Sequence, residues 1–161
     1  MTENTPRTSP EARLRALGIA LPTPPTPVGS YVPGVIVGNL LFMSGHGPFD
    51  DKGRPTSQGK LGQSISAEAG KKIAREVAIN MLASVRMLIG SLDRVKRVVK
   101  VLGMVNVQEG FIASPAVING FSDLLIEVFG ESGRHARSAV GVAELPAGIP
   151  VEVEAVFEIF S

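Results

Sequence analysis

The segment from Val98 to Val107 constrains this chain most. It reads Val-Val-Lys-Val-Leu-Gly-Met-Val-Asn-Val and is apolar along nearly its whole length. Successive side chains of a strand point to opposite faces of its sheet. A strand apolar on both faces has to be covered on both. Two helical segments are long enough to lie over a sheet. The longer runs from Ser66 to Ile89. Ile73, Val77, Met81, Val85 and Leu88 recur in it at three- and four-residue steps, Ala74, Ala78, Leu82 and Ile89 widen the stripe, and Gly90 closes it. The second begins at Ser114-Pro115, turns Val117, Ile118, Phe121, Leu125 and Val128 inward and ends at Gly130. Two helices cover one face of one sheet. The other face is therefore expected to be buried against further copies of the chain in a closed symmetric assembly.

The remaining elements follow from local signals. Val35-Ile36-Val37 and Leu40-Leu41-Phe42-Met43 flank Gly38-Asn39, the signature of a hairpin with a two-residue turn. Residues 45–65 hold five glycines and two prolines and read as a long loop, a length that in a compact domain often serves function. Strands at Ala136 to Ala143 and Val151 to Phe160, joined by Leu145-Pro146-Ala147-Gly148, complete the order β-β-α-β-α-β-β. This predicts an α+β, two-layer domain with both helices on one face of the sheet. Ahead of it, Ser9-Pro10-Glu11 reads as an N-cap, a first-turn proline and a first-turn acid. The short helix so begun carries Leu14 and Leu17 and stops at Gly18. Four prolines in the six positions from Pro22 to Pro27 then forbid helix and ladder pairing, so an extended connector follows. We read 1–27 as an N-terminal extension packed on a domain spanning 28–161.

Composition excludes several functions. The chain has no cysteine, hence no disulfide, thiol nucleophile or thiolate metal site. With two scattered histidines and no paired acidic spacing, neither a metal nor another cofactor is expected. Sixteen basic and fifteen acidic residues leave a net charge of +1, which argues against nucleic acid as partner; the short basic run Arg94-Val95-Lys96-Arg97 reads as a solvated strand entrance. Gly59-Lys60-Leu61-Gly62 lacks the frame of a phosphate loop. Met1 to Pro10 is polar, without the apolar core of a signal peptide, and no apolar run approaches the roughly 20 residues that span a bilayer, so a cytoplasmic, non-membrane protein is expected.

The informative segment is His135-Ala136-Arg137-Ser138-Ala139-Val140-Gly141-Val142-Ala143-Glu144-Leu145-Pro146. Strand alternation puts Arg137 on one face with Ala139, Gly141 and Ala143, a long cation beside three minimal side chains. A guanidinium in such a hollow needs an anion, because an unpaired buried charge costs several kcal/mol. That anion is either a protein carboxylate or a ligand's; alternatively the head is simply solvated. The planar fork suits a carboxylate held by two parallel hydrogen bonds. In the last strand Glu152, Glu154 and Glu158 share one face with Val156 and Phe160, while Val151, Val153 and Phe157 take the other. Plain core-and-solvent alternation explains most of this, but Glu152 or Glu154 could also pair with Arg137 or polarise a water. His46 and His135 would suit a nuclease's base and acid, yet nothing in their spacing pairs them.

These residues resemble a known family, the YjgF/RidA group, also labelled endoribonuclease L-PSP. Ala136-Arg137-Ser138, Val140, Leu145-Pro146 and Val151-Glu152-Val153-Glu154-Ala155 resemble its C-terminal signature. Gly29-Ser30-Tyr31, Gly34 and the hairpin to Ser44-Gly45 resemble its N-terminal strand pair, and Asn80 and the strand from Lys100 to Val107 fall in register. The likeness covers about residues 28–160, and the N-terminal extension with the long glycine-rich loop resembles the family's larger subgroup. The resemblance implies a chorismate-mutase-like fold, a mixed sheet and a homotrimer with sites in the clefts between subunits. It implies that Arg137 binds the carboxylate of a 2-imino acid, which water hydrolyses to a 2-keto acid and ammonia. Tyr31 and Glu152 would line that site, with Asn119 from the second helix and Ser138 beside the arginine. Where the family has Gly-Pro-Tyr this chain has Gly29-Ser30-Tyr31; His46 stands for a glutamine and Ala139 for a cysteine.

Two catalytic roles are then assigned. Arg137 orients the substrate, and Glu152, taken as its neighbour in the sheet, accepts a proton from the attacking water. His46 is the second candidate for the water. A non-catalytic trimer that senses or carries a small carboxylate is the alternative. A ribonuclease ranks third, because single strands favour basic grooves with stacking aromatics and the chain has one tyrosine and no tryptophan.

Overall fold

The computed structural model describes residues 8–24, 27 and 29–161. Strands β1 (Gly34–Val37) and β2 (Leu40–His46) are antiparallel, with Val37 opposite Leu40. Only Gly38 and Asn39 join them, and Gly38 takes the left-handed φ of +61° that a tight hairpin turn requires. Helix α2 (Ala67–Ile89) starts where the Ser66 hydroxyl accepts from the Ala69 amide and ends at Gly90, whose N–H bonds Arg86 O. Its expected stripe is the buried one, with Val77, Met81 and Val85 fully inaccessible and Ile73 and Leu88 at its margins. Strand β3 (Val95–Asn106) begins three residues before the apolar run, inside the basic stretch, where Lys96 pairs with Glu158 at 2.7 Å. Helix α3 (Ser114–Phe129) and strands β4 (Ala136–Val142) and β5 (Val151–Ile159) follow.

The fold is the expected α+β, chorismate-mutase-like arrangement, one mixed five-stranded sheet with its helices on one face. The strand order is β1-β2-β5-β3-β4, with β3 and β4 parallel and the other pairs antiparallel. Helices α2 and α3 are joined at their surface by Arg75–Glu127 and Lys71–Asp123 ion pairs. They cover Val98, Val101 and Val105 of β3 and Val151, Val153 and Phe157 of β5, all essentially inaccessible. The opposite sheet face holds Val35, Phe42, Val99, Leu102, Met104, Val140 and Val156, and among the described residues no element covers it. Phe42 is 44% exposed and Val140 43%. The two-sided strand thus lies half covered within a single chain.

Before the sheet, α1 (Pro10–Ala16) is capped by the Ser9 hydroxyl on the Ala12 amide. Leu14 enters the core, whereas Leu17 becomes the C-cap just beyond the helix and stays exposed. Glu11 grips Arg86 of α2 through both carboxylate oxygens, at 3.0 and 2.7 Å, and accepts from the Leu92 amide; Asp93 in turn accepts from the Glu11 amide. Ile19 and Leu21 continue along the core. The polar residues 1–7 and the connector positions Pro25, Thr26 and Val28 lie outside the described residues.

The glycine-rich loop between β2 and α2 is ordered by specific bonds. Asp50 accepts from the Lys52 and Arg54 amides, Asn80 of α2 donates to Gly47 O and Phe49 O, and Leu61 exchanges backbone bonds with Asn106 and Gln108 in an isolated parallel bridge to Val107. Lys60 anchors its end on Asn106 Oδ1, Ala143 O and Glu144.

Candidate functional site

The loop, the hairpin and the β4–β5 connection enclose a cavity of about 650 Å³ at one end of the sheet. Tyr31, Ser44, Gly45, His46, Phe49, Pro146, Glu152 and Glu154 are among its walls. Glu152 reaches it because Gly45 has no side chain: a Cβ there would fall on the glutamate's Oε1. Burial, with Glu154 on the same face, pushes the Glu152 carboxyl above the usual carboxylate range. His46 is buried, and both ring nitrogens are engaged within the chain. Its Nδ1 lies 2.7 Å from Ser44 O, a pure acceptor, so that nitrogen carries the proton; its Nε2 lies 2.9 Å from the Ser84 hydroxyl, which then donates. Desolvation holds this histidine below its ordinary pKa and keeps it neutral. His46 therefore shapes the wall and has no nitrogen left for a water unless one of these bonds breaks.

Arg137 lies elsewhere. Register runs Met43, Ala155, Val101, Arg137 across the sheet, and the first three are buried beneath the helices. The arginine ends that row on the edge strand and turns toward α3. One terminal nitrogen donates to Asn119 Oδ1 at 2.9 Å and Ser122 Oγ at 3.0 Å; the other donates to Pro115 O at 3.3 Å. All three partners are neutral, and among the described residues it forms no ion pair with a carboxylate. A small hollow lined by Ser122, Ile126, Arg134, His135 and Arg137 opens there. His135 stands behind the arginine, with Nδ1 donating to Gly133 O at 2.6 Å and Nε2 facing the Ser122 hydroxyl at 3.0 Å. Burial first, and the Arg137 charge second, lower its pKa.

Of the residues singled out in the sequence, the structure brings Arg137 to Asn119, and Tyr31, His46 and Glu152 to one cavity. It does not bring the two groups together. Strand β3 separates β4 from β5, so Glu152 is not a sheet neighbour of Arg137. The two also face opposite ways, because Glu152 pairs with Met104 on the uncovered face. Neither Glu152 nor Glu154 pairs with the arginine. Ser138 alternates to the uncovered face as well and accepts from Lys100 at 3.2 Å. The two histidines are likewise apart, one in each group. Sequence reading missed Ser122 as an arginine partner, though it lies three residues beyond Asn119, the spacing that puts both on one helix face. Among the described residues, no group of three or more His, Cys, Asp or Glu side chains could hold a metal ion, and no helix is long and apolar enough to cross a membrane.

Comparison with known proteins narrows this geometry. Residues 11–151 match a family model described as YjgF/chorismate mutase-like, a candidate endoribonuclease. Protein TCP17 of Trypanosoma cruzi is 45% identical over 149 residues, 92% of either chain. A 2-iminobutanoate/2-iminopropanoate deaminase of Salmonella typhimurium is 29% identical over 138 residues, 86% of this chain and 94% of that one. Among solved structures, Atu1372 of Agrobacterium tumefaciens, a protein of unknown function, matches with a TM-score of 0.85 and 40% identity over 94% of this chain and 92% of its own.

Proposed function

The chain belongs to the YjgF/RidA family, and from that premise we propose that it hydrolyses 2-imino acids to 2-keto acids and ammonia, as a trimer whose sites lie between subunits. The observation that carries this reading is the state of Arg137. Three neutral oxygens aim the guanidinium, and no carboxylate of the described residues neutralises it. Such a cation is a receptor for an anion from outside the chain, and its planar fork fits a carboxylate. Glu152 on the far face of the sheet supplies the complementary half, a carboxyl whose raised pKa suits proton transfer. The uncovered apolar face gives a second copy a surface on which to seat, so that one subunit's Arg137 and another's Glu152 complete one site.

The step needs little from the protein beyond placement. Water adds to the carbon of a protonated imine, its oxygen forming the new bond while Glu152 takes its proton. The carbinolamine nitrogen takes that proton back, and the C–N bond breaks toward nitrogen as the carbinol oxygen forms the carbonyl. The departing ammonia takes up the proton the carbinol oxygen gives up, so a keto acid and an ammonium ion leave. Arg137 fixes the substrate carboxylate throughout. The Salmonella relative, named for this reaction on small imino acids, supports the assignment. A binding-only trimer is the second reading; it is favoured by His46, whose nitrogens are both spent on structure, since binding requires only the arginine. A ribonuclease draws less support from a chain of net charge +1. The test is the decay of a 2-imino acid generated in place by an amino-acid oxidase. The protein should accelerate it, Arg137→Ala should lose most of the effect and Glu152→Gln part of it. Unchanged decay with intact keto-acid binding would leave the binding-only reading.

A further inference from the structure

We propose that the acid handled here carries a bulky apolar side chain, phenyl or branched alkyl, in preference to a methyl or ethyl group; the inference rests on the carboxylate-handling reading above. The first ground is space. A cavity of about 650 Å³ adjoins Glu152, and pockets of roughly 300–1,000 Å³ are those that enclose drug-sized ligands. Before the second subunit that completes the site takes its share, that volume exceeds what a three- or four-carbon acid fills.

The second ground is the chemistry of the walls. Away from the glutamates the lining is Pro27, Tyr31, Pro33, Phe49 and Pro146, with Gly47 and Gly53 contributing bare backbone. Of the polar groups that line it away from the glutamates, His46 uses both ring nitrogens and the Ser44 hydroxyl donates to Val32 O at 2.6 Å, which leaves the exposed Tyr31 hydroxyl. A polar side chain entering this space would give up its water partners for few new ones, whereas an apolar one gains by leaving water. Among the described residues no lysine or arginine lines the cavity. Its charge sits on Glu152 and Glu154 alone, at the wall where the imine nitrogen must lie for Glu152 to serve the attacking water. Charge confined to two glutamates among aromatic and proline walls describes a substrate polar at C1 and C2 and apolar beyond.

The experiment compares imino acids made in place from phenylalanine, leucine, alanine and lysine, together with thermal shifts produced by phenylpyruvate and pyruvate at equal concentration. The phenyl and isobutyl substrates should exceed the methyl one in kcat/KM by roughly tenfold or more, the scale on which apolar pockets discriminate such groups. Phe49→Ala should shrink that ratio several-fold; if it fails to fold, exposed Tyr31→Ala reads the same wall. Phenylpyruvate should stabilise at lower concentration than pyruvate. Equal or better turnover of the alanine or lysine imine, or an equal shift by pyruvate, overturns the inference while leaving the hydrolase intact. Tighter phenylpyruvate binding without turnover of any imine sinks the hydrolase and keeps the ligand class.

Discussion

Arg137→Ala isolates the carboxylate clamp, and its effects can be sized from the bonds present. A guanidinium has five N–H donors. Three are committed to Asn119, Ser122 and Pro115; two remain, the number a side-on carboxylate takes. At about 1.5–3 kcal/mol for each hydrogen bond to a charged group, losing both weakens binding by about 3–6 kcal/mol, or at least a hundredfold. A keto acid present at about a hundred times its Kd stabilises the native protein by about 2.7 kcal/mol. For a chain of this size that raises Tm by roughly 5–11 °C, and the variant should keep no more than about 1–2 °C of it. The cost to the fold should be small. Asn119 is exposed, Ser122 keeps its bond to His135, and Pro115 O can turn to water, so about 1 kcal/mol, or roughly 2–4 °C, is expected without ligand. Differential scanning fluorimetry with a keto-acid titration reads both quantities. A variant that retains the ligand shift, or that melts more than about 10 °C lower on its own, would refute the argument: the first removes the clamp, the second makes the arginine a structural post.

Three further outcomes are expected. Light scattering at micromolar concentration should return three times the chain mass of 16.9 kDa; a clean monomer would leave Arg137 and Glu152 on separate sites. Because Glu152 is harder to ionise in the fold than in the unfolded chain, its charge costs stability once pH passes its raised pKa and costs nothing while both states are protonated; Glu152→Gln should therefore melt higher than the parent at pH 7 and equally below the usual carboxylate range. Gly120→Ala should lower Tm by roughly 2–12 °C, since overpacking costs about 1–3 kcal/mol and the added methyl would fall on the backbone oxygen of Lys71 where α2 and α3 touch; a change under 1 °C by calorimetry contradicts that packing.

Much of the architecture was legible because its signals are local. The Gly38-Asn39 turn, the Ser66 cap and the stripe of Val77, Met81 and Val85 are decided within a few residues, and all three elements lie where the pattern puts them. Arg137 was legible as a cation in need of an anion, whose source the residues left open, and Asn119 only through the family resemblance. What sequence order concealed was strand order. Strands β4 and β5 follow one another and invite pairing, but β3 lies between them, held by nine registered residue pairs to β5. Only long-range pairing decides this, and with it the face on which Glu152 emerges. The bonding of His46 to Ser84, 38 residues away, was hidden for the same reason.

The Glu11 contacts bear on how the chain resists proteolysis. One carboxylate holds Arg86 and the Leu92 amide, while Asp93 holds the backbone of Glu11 itself. These bonds close on one another, so the first helix has no single weak point from which to peel; releasing it breaks all of them and exposes Leu14 together. Local openings that break many contacts at once are rare, and cleavage in the extended segment from Ile19 to Pro24 should follow their population. Glu11→Gln, which removes the charge and keeps the shape, should therefore speed nicking there well before it lowers the global melting point.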